Sequence, residues 1–525
     1  MNRLAQLPPY VLSLISGLLI SLAWPHVGGL SFVAFFALVP YLWAEDFIFR
    51  KSYRPRRVFL NAYLFAFVFN LCTTWWIYYA SFGGVVLALL VNSLFMAFFL
   101  WMVHVTKRRV GEKEGNIAFV LYWLGFEYCH YKWEISWPWL NFGNLFANDI
   151  TLVQWYEYTG VAGGTLWILL VNYAIFRCLS NFYHQKISFR QQKSRLIYIS
   201  LLILLPVLLS LKIFYNYEEK GKSTEVIVVQ PNVDPYHKFE NQRGVEFLID
   251  FLKTAEPLIT EETSFIVGPE TALTNLVNEE DLENDEQVQL AQSFIQHYPH
   301  IRLITGMYSF DPAKEELYNA VLQIDGKGKI QKYHKKWLVL GVEKIPFMDY
   351  FPFMKNLAMS MGGASGTLGR QMEPTVLNSE ISPEAVIAPA VCYESIYGEH
   401  ITEFIQKGAT LIFVVTNDGW WEDTPGYKQH FAYVRLRAIE TRRDVAQSAN
   451  TGTSGFINQR GEILQKTEWW TKTAIKQTLQ MNTELTVYVK MGDYIGRTSF
   501  FIMILLMIYT FTRWIMGKRP GRGEV

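Results

Sequence analysis

The sequence is poor in cysteine and in charged residues. Its 525 residues include four cysteines, and Asp, Glu, Lys and Arg together make up 18% of the chain. Cys72, Cys129 and Cys178 lie in or beside strongly apolar stretches, so Cys392 is the single cysteine of the more polar region 218–490. A disulfide within that region is therefore excluded.

The charge balance and the missing motifs exclude further classes of function. The 48 Lys and Arg residues are matched by 47 Asp and Glu residues, for a formal net charge of +1, so nothing global points to a nucleic-acid partner. The sequence shows neither a cluster of metal ligands nor a glycine-rich loop that would cradle phosphates. We therefore predict no metal and no other cofactor.

What the chain has instead is long apolar runs, concentrated before about Tyr215 and after about Arg497. Eight of them approach the ~20 residues that cross a bilayer. They are Pro9–Trp24, Leu30–Trp43, Val58–Tyr79, Val85–Val105, Ile117–Cys129, Gly160–Phe176, Leu196–Phe214 and Thr498–Ile515. The sequence thus predicts an α-helical integral membrane domain of about eight transmembrane helices. Residues 1–217 would hold about seven of them, and 491–525 the last one with a cytoplasmic tail.

The basic residues between these runs predict the orientation. Lys and Arg are grouped in Arg50–Arg57, Lys107–Lys113 and Arg177–Arg195, whereas the alternate connections His26–Gly29 and Ala80–Gly84 have none. Because cytoplasmic loops carry the excess of Lys and Arg, both chain ends are expected in the cytoplasm. Residues 218–490 are then expected on the non-cytoplasmic side, where a free cysteine is unusual.

Two features of the membrane region have alternative interpretations. Glu127 lies in or next to the fifth run, and an intramembrane carboxylate is a functional candidate by default, although an interfacial position would also explain it. The outward segment Tyr131–Tyr158 is rich in Trp and Tyr. We expect an interfacial aromatic belt there, and a lipid-facing cleft is the alternative.

Strand-like and helix-like segments alternate in residues 218–490, which predicts an α/β domain with a mixed sheet layered with helices. Functional groups in such sheets gather where strands end. Glu270 follows the strand-like run Ser264–Val267, Lys335 follows the second strand of a hairpin, and Cys392 follows Val386–Val391. These three residues are the catalytic candidates.

Together the three side chains suffice for acyl transfer through a thioester. A thiolate attacks a carbonyl, a carboxylate such as Glu270 can take the thiol proton, and a lysine can stabilise the oxyanion. Each also has a plain structural interpretation: Glu270 as a carboxylate at a helix start, Lys335 as one of a solvated lysine group, and Cys392 as a buried cysteine. A Cys–His pair using one of three histidines competes with the triad; these are His334, His400 and His430.

Several motifs together resemble those of the nitrilase superfamily, in the same order. They are Gly-Pro-Glu-Thr-Ala-Leu (268–273), Tyr-His-Lys-Lys-Trp-Leu-Val (333–339) with Glu343, Cys-Tyr-Glu (392–394), Thr-Asn-Asp-Gly-Trp (416–420), Gln-His (429–430), Arg-Leu-Arg-Ala-Ile-Glu-Thr (435–441) and Asn-Thr-Gly-Thr-Ser (450–454). With many spans before this region and one after it, the chain resembles the apolipoprotein N-acyltransferases of the bacterial inner membrane.

The resemblance implies an αββα-sandwich, nitrilase-like domain in residues 218–490. It implies Glu270 as base, Lys335 as the stabilising charge and Cys392 as nucleophile. Glu343 matches a further required carboxylate, and Tyr393 and Glu394 match the residues beside the nucleophile, where the Tyr393 backbone N–H could help to bind the oxyanion.

The resemblance also implies the reaction and its partners. Cys392 would take the sn-1 acyl chain of a phospholipid, with phosphatidylethanolamine as the expected donor. The thioester would then acylate the α-amino group of the diacylglyceryl-cysteine of an apolipoprotein, in a ping-pong cycle. The bilayer is the remaining partner, and a monomer is expected. The rival predictions are a membrane-tethered nitrilase-type amidase that releases the acyl group to water, and a transporter or scaffold with an inactive exported domain.

The sequence departs from the family pattern at several positions. Gly268 stands where a Trp is frequent, Leu340–Val342 replaces Pro-Phe-Gly, and Gln447 or a neighbour replaces an expected Arg. Lys238-Phe239 replaces a common Lys-Trp. The three catalytic candidates are all retained.

The stretch Trp337–Met361 is loop-like but rich in aromatic residues and Met, and glycines follow it. We predict an arm that touches the bilayer; a loop folded over its own core is the alternative. Exchange of Phe351 and Phe353 for Ser should then slow acylation by lipid and leave the unfolding temperature of the domain unchanged. Turnover equal to that of the parent protein would remove the arm hypothesis.

Overall fold

The computed structural model describes residues 7–517 except 237, 239–242, 348, 349 and 351–366. The chain divides into two compact units. The first, called the membrane unit, comprises Met1–Ile77, Gly84–Tyr215 and Asp493–Val525, and the second, called the sheet unit, comprises Tyr78–Gly83 and Asn216–Gly492. Each unit is described by itself.

Fifteen α-helices lie in the described residues. In chain order, α1 to α15 are Pro9–Ala23, Val39–Arg50, Arg56–Thr74, Ile77–Ala80, Phe82–Val86, Asn92–Arg109, Glu112–His130, Tyr156–His184, Lys193–Asn216, Gly244–Ala255, Glu286–Gln296, Gly398–Gln406, Pro425–Thr441, Val487–Met491 and Tyr494–Ile515. A π-helical turn, Leu87–Val91, connects α5 to α6.

Six helical segments among the described residues are long and apolar enough to cross a membrane. They are Ser31–Arg50, Arg56–Thr74, Phe82–Arg109, Tyr156–His184, Lys193–Asn216 and Tyr494–Ile515. Each overlaps one of the eight predicted runs. Of the other two, α1 is apolar but has 15 residues, and α7 begins with charged residues, Glu112 and Glu114 among them. The count of about eight spans therefore stays a prediction.

Glu127 is buried in the membrane unit and connects α7 to the 3₁₀ helix Phe142–Asn148 and to α8. Its carboxylate accepts hydrogen bonds from Trp123 Nε1 at 2.9 Å, from the Phe142 backbone N–H at 2.8 Å and from Thr165 Oγ1 at 2.7 Å. Within the segment Tyr131–Tyr158, residues Trp139, Trp155 and Tyr156 are also buried. These three aromatic side chains pack inside the unit, and the interfacial aromatic belt stays a prediction.

The sheet unit contains twelve strands in its described residues, and they form two sheets. In chain order, β1 to β12 are Lys222–Gln230, Thr263–Val267, Leu273–Asn278, Arg302–Asp311, Glu316–Asp325, Ile330–His334, Ile387–Val391, Leu411–Thr416, Val445–Ala449, Gly455–Ile457, Ile463–Lys466 and Thr473–Met481. The first sheet has the order β12-β1-β2-β4-β5-β6, with β3 on β4, and the second has the order β11-β10-β9-β8-β7. Both sheets mix parallel and antiparallel pairs.

The two sheets share one apolar core. Val226, Phe265 and Ile304 of the first sheet belong to the same buried cluster as Ile387 and Phe413 of the second, and the rings of Phe265 and Phe413 meet edge to face at 5.1 Å. A separate cluster packs α10 and α11 on the other side of the first sheet, while α12 and α13 add apolar side chains to the core of the second. The parallel strands β2, β7 and β8 end in the loops that carry the site.

Gly306 on β4 lets the chain after β2 pass close to the first sheet. A Cβ at this position would lie 2.5 Å from the Thr271 amide nitrogen and 2.7 Å from Glu270 Cα. Gly306→Ala should therefore displace the Glu270 backbone and destabilise the unit by about 1–3 kcal/mol, as overpacking does. The measurement is the apparent Tm of the full chain in detergent.

The control for this prediction is Gly328→Ala, where an added Cβ meets nothing within 4 Å and only the backbone angle, φ +79°, opposes the change. An apparent Tm of Gly306→Ala that equals that of the parent would contradict the tight approach.

Candidate active site

Cys392 occupies the first position after β7, in a strained turn. Its φ is +51°, a left-handed conformation that is rare for a residue with a side chain. A 3₁₀ turn, Cys392–Ile396, follows it, and the residue is 7% exposed. Because of this conformation, the Cys392 side chain does not follow the alternation of side chains along β7. Strained residues of this kind are frequent at functional sites.

Lys335 directly follows β6 and is buried between two carboxylates. Its Nζ donates to Glu270 Oε1 at 3.3 Å and to both oxygens of Glu343, at 3.0 and 2.9 Å. Lys335 is 1% exposed, and Glu270 and Glu343 are buried as well. Since a buried ion is tolerated only when paired, the two carboxylates hold the pKa of Lys335 well above its usual range despite its burial.

Asn319 on β5 completes this cluster, and the sequence analysis missed it. Its Nδ2 donates to Glu270 Oε1 and to Glu343 Oε1, both at 2.7 Å. The signal was present in the sequence, because a polar Asn interrupts the apolar run of the strand-like stretch Tyr318–Asp325. Asn319 ties the two carboxylates to the sheet in a fixed position.

The backbone around Glu270 is fixed by Lys238, which the sequence analysis noted only as a departure. Lys238 Nζ donates to the Glu270 carbonyl oxygen and to Thr271 Oγ1, both at 2.9 Å, and burial lowers the pKa of this amine to about 7. Thr271 has a φ of +52°, so the turn after Glu270 is strained too. The Glu270 N–H donates to the Thr416 carbonyl at 3.4 Å, which connects the turn to β8.

Glu394 connects the end of β6 to the end of β7. Its Oε1 accepts from the Tyr333 hydroxyl at 2.7 Å and from the backbone N–H groups of Lys336 and Trp337 at 2.6 and 3.2 Å. Its Oε2 accepts from the Val391 N–H at 2.9 Å. Burial opposes the charge, but hydrogen bonding, with His400 the strongest contributor, lowers the pKa of this carboxyl. Glu394 therefore positions the segments that carry Lys335 and Cys392, and Tyr393 lies buried beside it.

The competing histidines lie in other networks. His334 Nε2 contacts Glu279 at 2.6 Å, and His400 bonds to Glu403 and the Tyr333 hydroxyl. His430 is nearest to the nucleophile candidate: its Nδ1 lies 2.9 Å from Asp418, and its Nε2 lies 3.1 Å from the Cys392 carbonyl oxygen. His430 thus supports the turn through the backbone of Cys392.

The charges of the cluster act on the Cys392 thiol. Burial raises its pKa well above the usual value; the Glu270 carboxylate raises it further, and the Lys335 ammonium partly counteracts both. Because the pKa of Cys392 is raised, the thiol is neutral at neutral pH. A nucleophilic attack therefore needs a base for the thiol proton, and Glu270 is the carboxylate whose charge acts most strongly on this group.

The structure shows the surroundings of three departures from the family pattern. A Cβ at Gly268 would lie 2.4 Å from Thr305 Oγ1 and 2.9 Å from the Phe251 ring, so a Trp does not fit there. Gln447 is buried in β9, and its Nε2 donates to the Thr453 carbonyl at 3.0 Å. At Leu340–Val342 the chain turns back, so that the Glu343 N–H donates to the Val339 carbonyl at 2.9 Å.

The predicted arm is described only at its start. Trp337 stacks on Tyr397 with ring centroids 4.5 Å apart. Residues 348, 349 and 351–361 of the arm lie outside the described residues, as do Phe351 and Phe353 of its test.

The two-sheet fold and the carboxylate–lysine–cysteine cluster define the sheet unit as a carbon–nitrogen hydrolase domain. The family model "Carbon-nitrogen hydrolase" matches residues 228–486, and "Apolipoprotein N-acyltransferase N-terminal domain" matches 16–174. The chain belongs to the apolipoprotein N-acyltransferase family and is an acyltransferase.

Individual relatives cover nearly the whole chain. An apolipoprotein N-acyltransferase of Chlorobaculum tepidum is 29% identical over 93% of both chains. One of Geobacter metallireducens is 26% identical over 92% of both. Among solved structures, Nit3 of Saccharomyces cerevisiae, a nitrilase superfamily member, aligns with a TM-score of 0.38 and 16% identity, covering 50% of this chain and 92% of its own.

Glu394→Gln tests the connection between the two strand ends. The Gln side chain has the same shape, but its amide NH₂ group would face N–H and O–H groups that also donate. The free energy of unfolding should therefore fall by about 1–3 kcal/mol. The rate of acyl transfer should fall as well, because Lys335 and Cys392 lose their common support. The measurements are the apparent Tm and the single-turnover rate.

The matched control is Glu403→Gln. Glu403 bonds to His400 and Lys336, but its side chain is 34% exposed, so its neutralisation should lower the free energy of unfolding less than that of the fully buried Glu394. Equal effects of the two substitutions would contradict the positioning role of Glu394.

Proposed function

We propose that the protein transfers the sn-1 acyl chain of a membrane phospholipid to the N-terminal α-amine of the S-diacylglyceryl-cysteine of apolipoproteins, through a thioester on Cys392. The observation that carries the proposal is the buried Cys392 in the left-handed turn directly after β7, where the charges of Glu270 and Lys335 act on its thiol. The names of the relatives supply the class of acceptor. No metal or other cofactor takes part in the proposed cycle.

In the first half-reaction Glu270 removes the proton from Cys392 Sγ as the sulfur attacks the ester carbonyl carbon. The tetrahedral oxyanion is stabilised by the Lys335 ammonium and by the Tyr393 backbone N–H. When the intermediate collapses, the ester C–O bond breaks, and the departing glycerol oxygen takes the proton from Glu270. The products are the thioester and a lysophospholipid.

In the second half-reaction the free α-amine of the lipoprotein attacks the thioester carbonyl. Glu270 takes a proton from the attacking nitrogen, the same groups stabilise the oxyanion, and the C–S bond breaks. Glu270 then returns the proton to Sγ, so the thiol is regenerated and an amide is formed. A thioester retains its reactivity toward an amine, so the two bulky lipids never need to be bound together.

The remaining residues of the cluster hold this machinery in place. Glu343 accepts from Lys335 and from Asn319, and Asn319 also donates to Glu270, so these two residues fix the distance between base and ammonium. Glu394 holds the segments after β6 and before Cys392. We assign Glu343, Asn319 and Glu394 as positioning residues.

The location follows from the same proposal. We infer a multi-pass protein of the bacterial inner membrane, with residues 1–217 and 491–525 forming the membrane part. Residues 218–490 would face the periplasm, where apolipoproteins arrive. Phosphatidylethanolamine is the proposed donor, and the proposed working form is a monomer.

The direct test uses a phospholipid labelled in its sn-1 acyl chain and the purified full-length protein. The parent protein should acquire a label that neutral hydroxylamine removes, as expected of a thioester. Cys392→Ala should reduce labelling to background. Cys178→Ser, which changes a buried cysteine of the membrane unit, should label like the parent and serves as the matched control.

Addition of a diacylated lipopeptide then separates transfer from hydrolysis. The label should move to the amine of the peptide. Label that appears only as free fatty acid would instead identify a membrane-tethered hydrolase, and labelling of Cys392→Ala at the parent level would refute the thioester.

A further inference from the structure

A groove of about 680 Å³ separates α8 and α9 within the membrane unit. Leu166 and Leu170 line it on α8, and Leu205 and Leu209 line it on α9. Trp155 and Ile495, near the starts of α8 and α15, close one end. The groove is several times larger than a cavity of ~150 Å³ that holds a benzene molecule, and its walls are almost wholly apolar.

The groove is held open at mid-helix by a hydrogen bond that a proline makes necessary. Pro206 lies inside α9 and has no N–H, so the carbonyl of Leu202, four residues earlier, lacks its helical donor. Trp167 Nε1 of α8 donates to this carbonyl at 2.7 Å. Because an unsatisfied carbonyl in hydrocarbon costs several kcal/mol, this bond ties α9 to α8 at a defined distance.

A second hydrogen bond ties α9 to the chain before α8. Ser210 Oγ accepts from the Gln154 backbone N–H at 2.7 Å. Within α9, all of which is described, Ser210 is the single buried residue. The helix is therefore attached to the rest of the membrane unit through polar bonds, while its leucines face open space on both sides. The groove is a built feature with fixed walls.

The dimensions of the groove fit part of one lipid chain. On α9 the lining runs from Leu202 to Leu209, about 10 Å at ~1.5 Å per residue, which is within one leaflet of a hydrocarbon core ~30 Å thick. The tryptophan end is of the kind that lies at the headgroup level. Water in a space with apolar walls is unfavourable, so the groove is suited to a hydrocarbon chain.

We propose that the α8–α9 groove binds one acyl chain of a resident membrane glycerophospholipid, with the headgroup at the Trp155 end. The bound chain fills space that the protein leaves open and holds α9 against the unit. This site is separate from the thiol chemistry of Cys392, so the proposal neither needs nor supports the acyl-transfer mechanism. A lipid bound here is structural and is not consumed.

The test is photo-crosslinking of the full-length Cys392→Ala protein, which cannot form the acyl-enzyme, in phosphatidylcholine vesicles. The vesicles contain a trace of phosphatidylethanolamine with a diazirine in one acyl chain. Peptide mapping should find Leu205 and Leu209 labelled at least about fivefold more than Leu204 and Leu208, the ratio that ~1 kcal/mol of preference gives. Differences in exposure do not explain such a ratio, because the two pairs are about equally exposed. Leu205 and Leu209 are 57% and 48% exposed, and Leu204 and Leu208 are 52% and 59% exposed.

A pair of variants sharpens the test. Leu205→Trp places a bulky ring in the groove and should reduce labelling of Leu209 and Leu166 at least about fivefold, again the ratio for ~1 kcal/mol. Leu204→Trp adds the same ring one residue earlier on the same helix, outside the lining, and should leave that labelling unchanged. Equal labelling of both leucine pairs, which means loosely surrounding lipid only, would overturn the proposal. The proposal would also be overturned if Leu209 and Leu166 were labelled to the same extent in Leu205→Trp as in Leu204→Trp.

Discussion

The binding of one buried ammonium group by two carboxylates is the interaction on which the sheet unit depends. Lys335 is 1% exposed, and breaking a buried pair by removing one partner is strongly destabilising. Folding must therefore bring three residues together around the ammonium group. They are Glu270 at the end of β2, Glu343 in the turn after β6 and Asn319 on β5. Burial and the Glu270 carboxylate raise the pKa of the Cys392 thiol, and the Lys335 ammonium counteracts both.

The site is held by backbone constraints as much as by charges. Cys392 and Thr271 both adopt left-handed conformations, with φ of +51° and +52°, and such residues persist only where the surroundings over-determine them. Here the surroundings are identifiable. Lys238 and the close approach of Gly306 fix the turn at Thr271, and His430 bonds to the carbonyl of Cys392.

Much of this architecture could be predicted from the sequence. The strand-like runs Ser264–Val267 and Val386–Val391 each differ by one residue from β2 and β7, because continuous apolar runs bounded by turns are a strong local signal. Six of the eight apolar runs overlap helices that could cross a membrane. Glu270, Lys335 and Glu343 were named from strand ends and motifs, and the structure brings them into contact.

The rest could not be predicted, because it depends on contacts distant in sequence. Asn319 interrupts an apolar run, but its two carboxylate partners are known only from the fold, and Lys238 acquires its role only through the carbonyl of Glu270. Trp139 and Tyr156 are buried by the packing of the membrane unit, which composition alone does not show. Local patterns give elements and strand ends, whereas burial and long-range hydrogen bonds are decided by tertiary packing.

The central claim is that Cys392 rests as a neutral thiol and that Glu270 takes its proton. The most direct measurement is the ultraviolet thiolate absorbance of the protein minus that of Cys392→Ala, titrated from about pH 6 to about pH 10, across the ordinary thiol pKa of ~8.5. The account predicts no thiolate signal at neutral pH and a midpoint above the ordinary value, since burial and Glu270 raise the pKa of Cys392. A full thiolate signal already present near pH 6 would show a standing ion pair with Lys335 and would contradict the account.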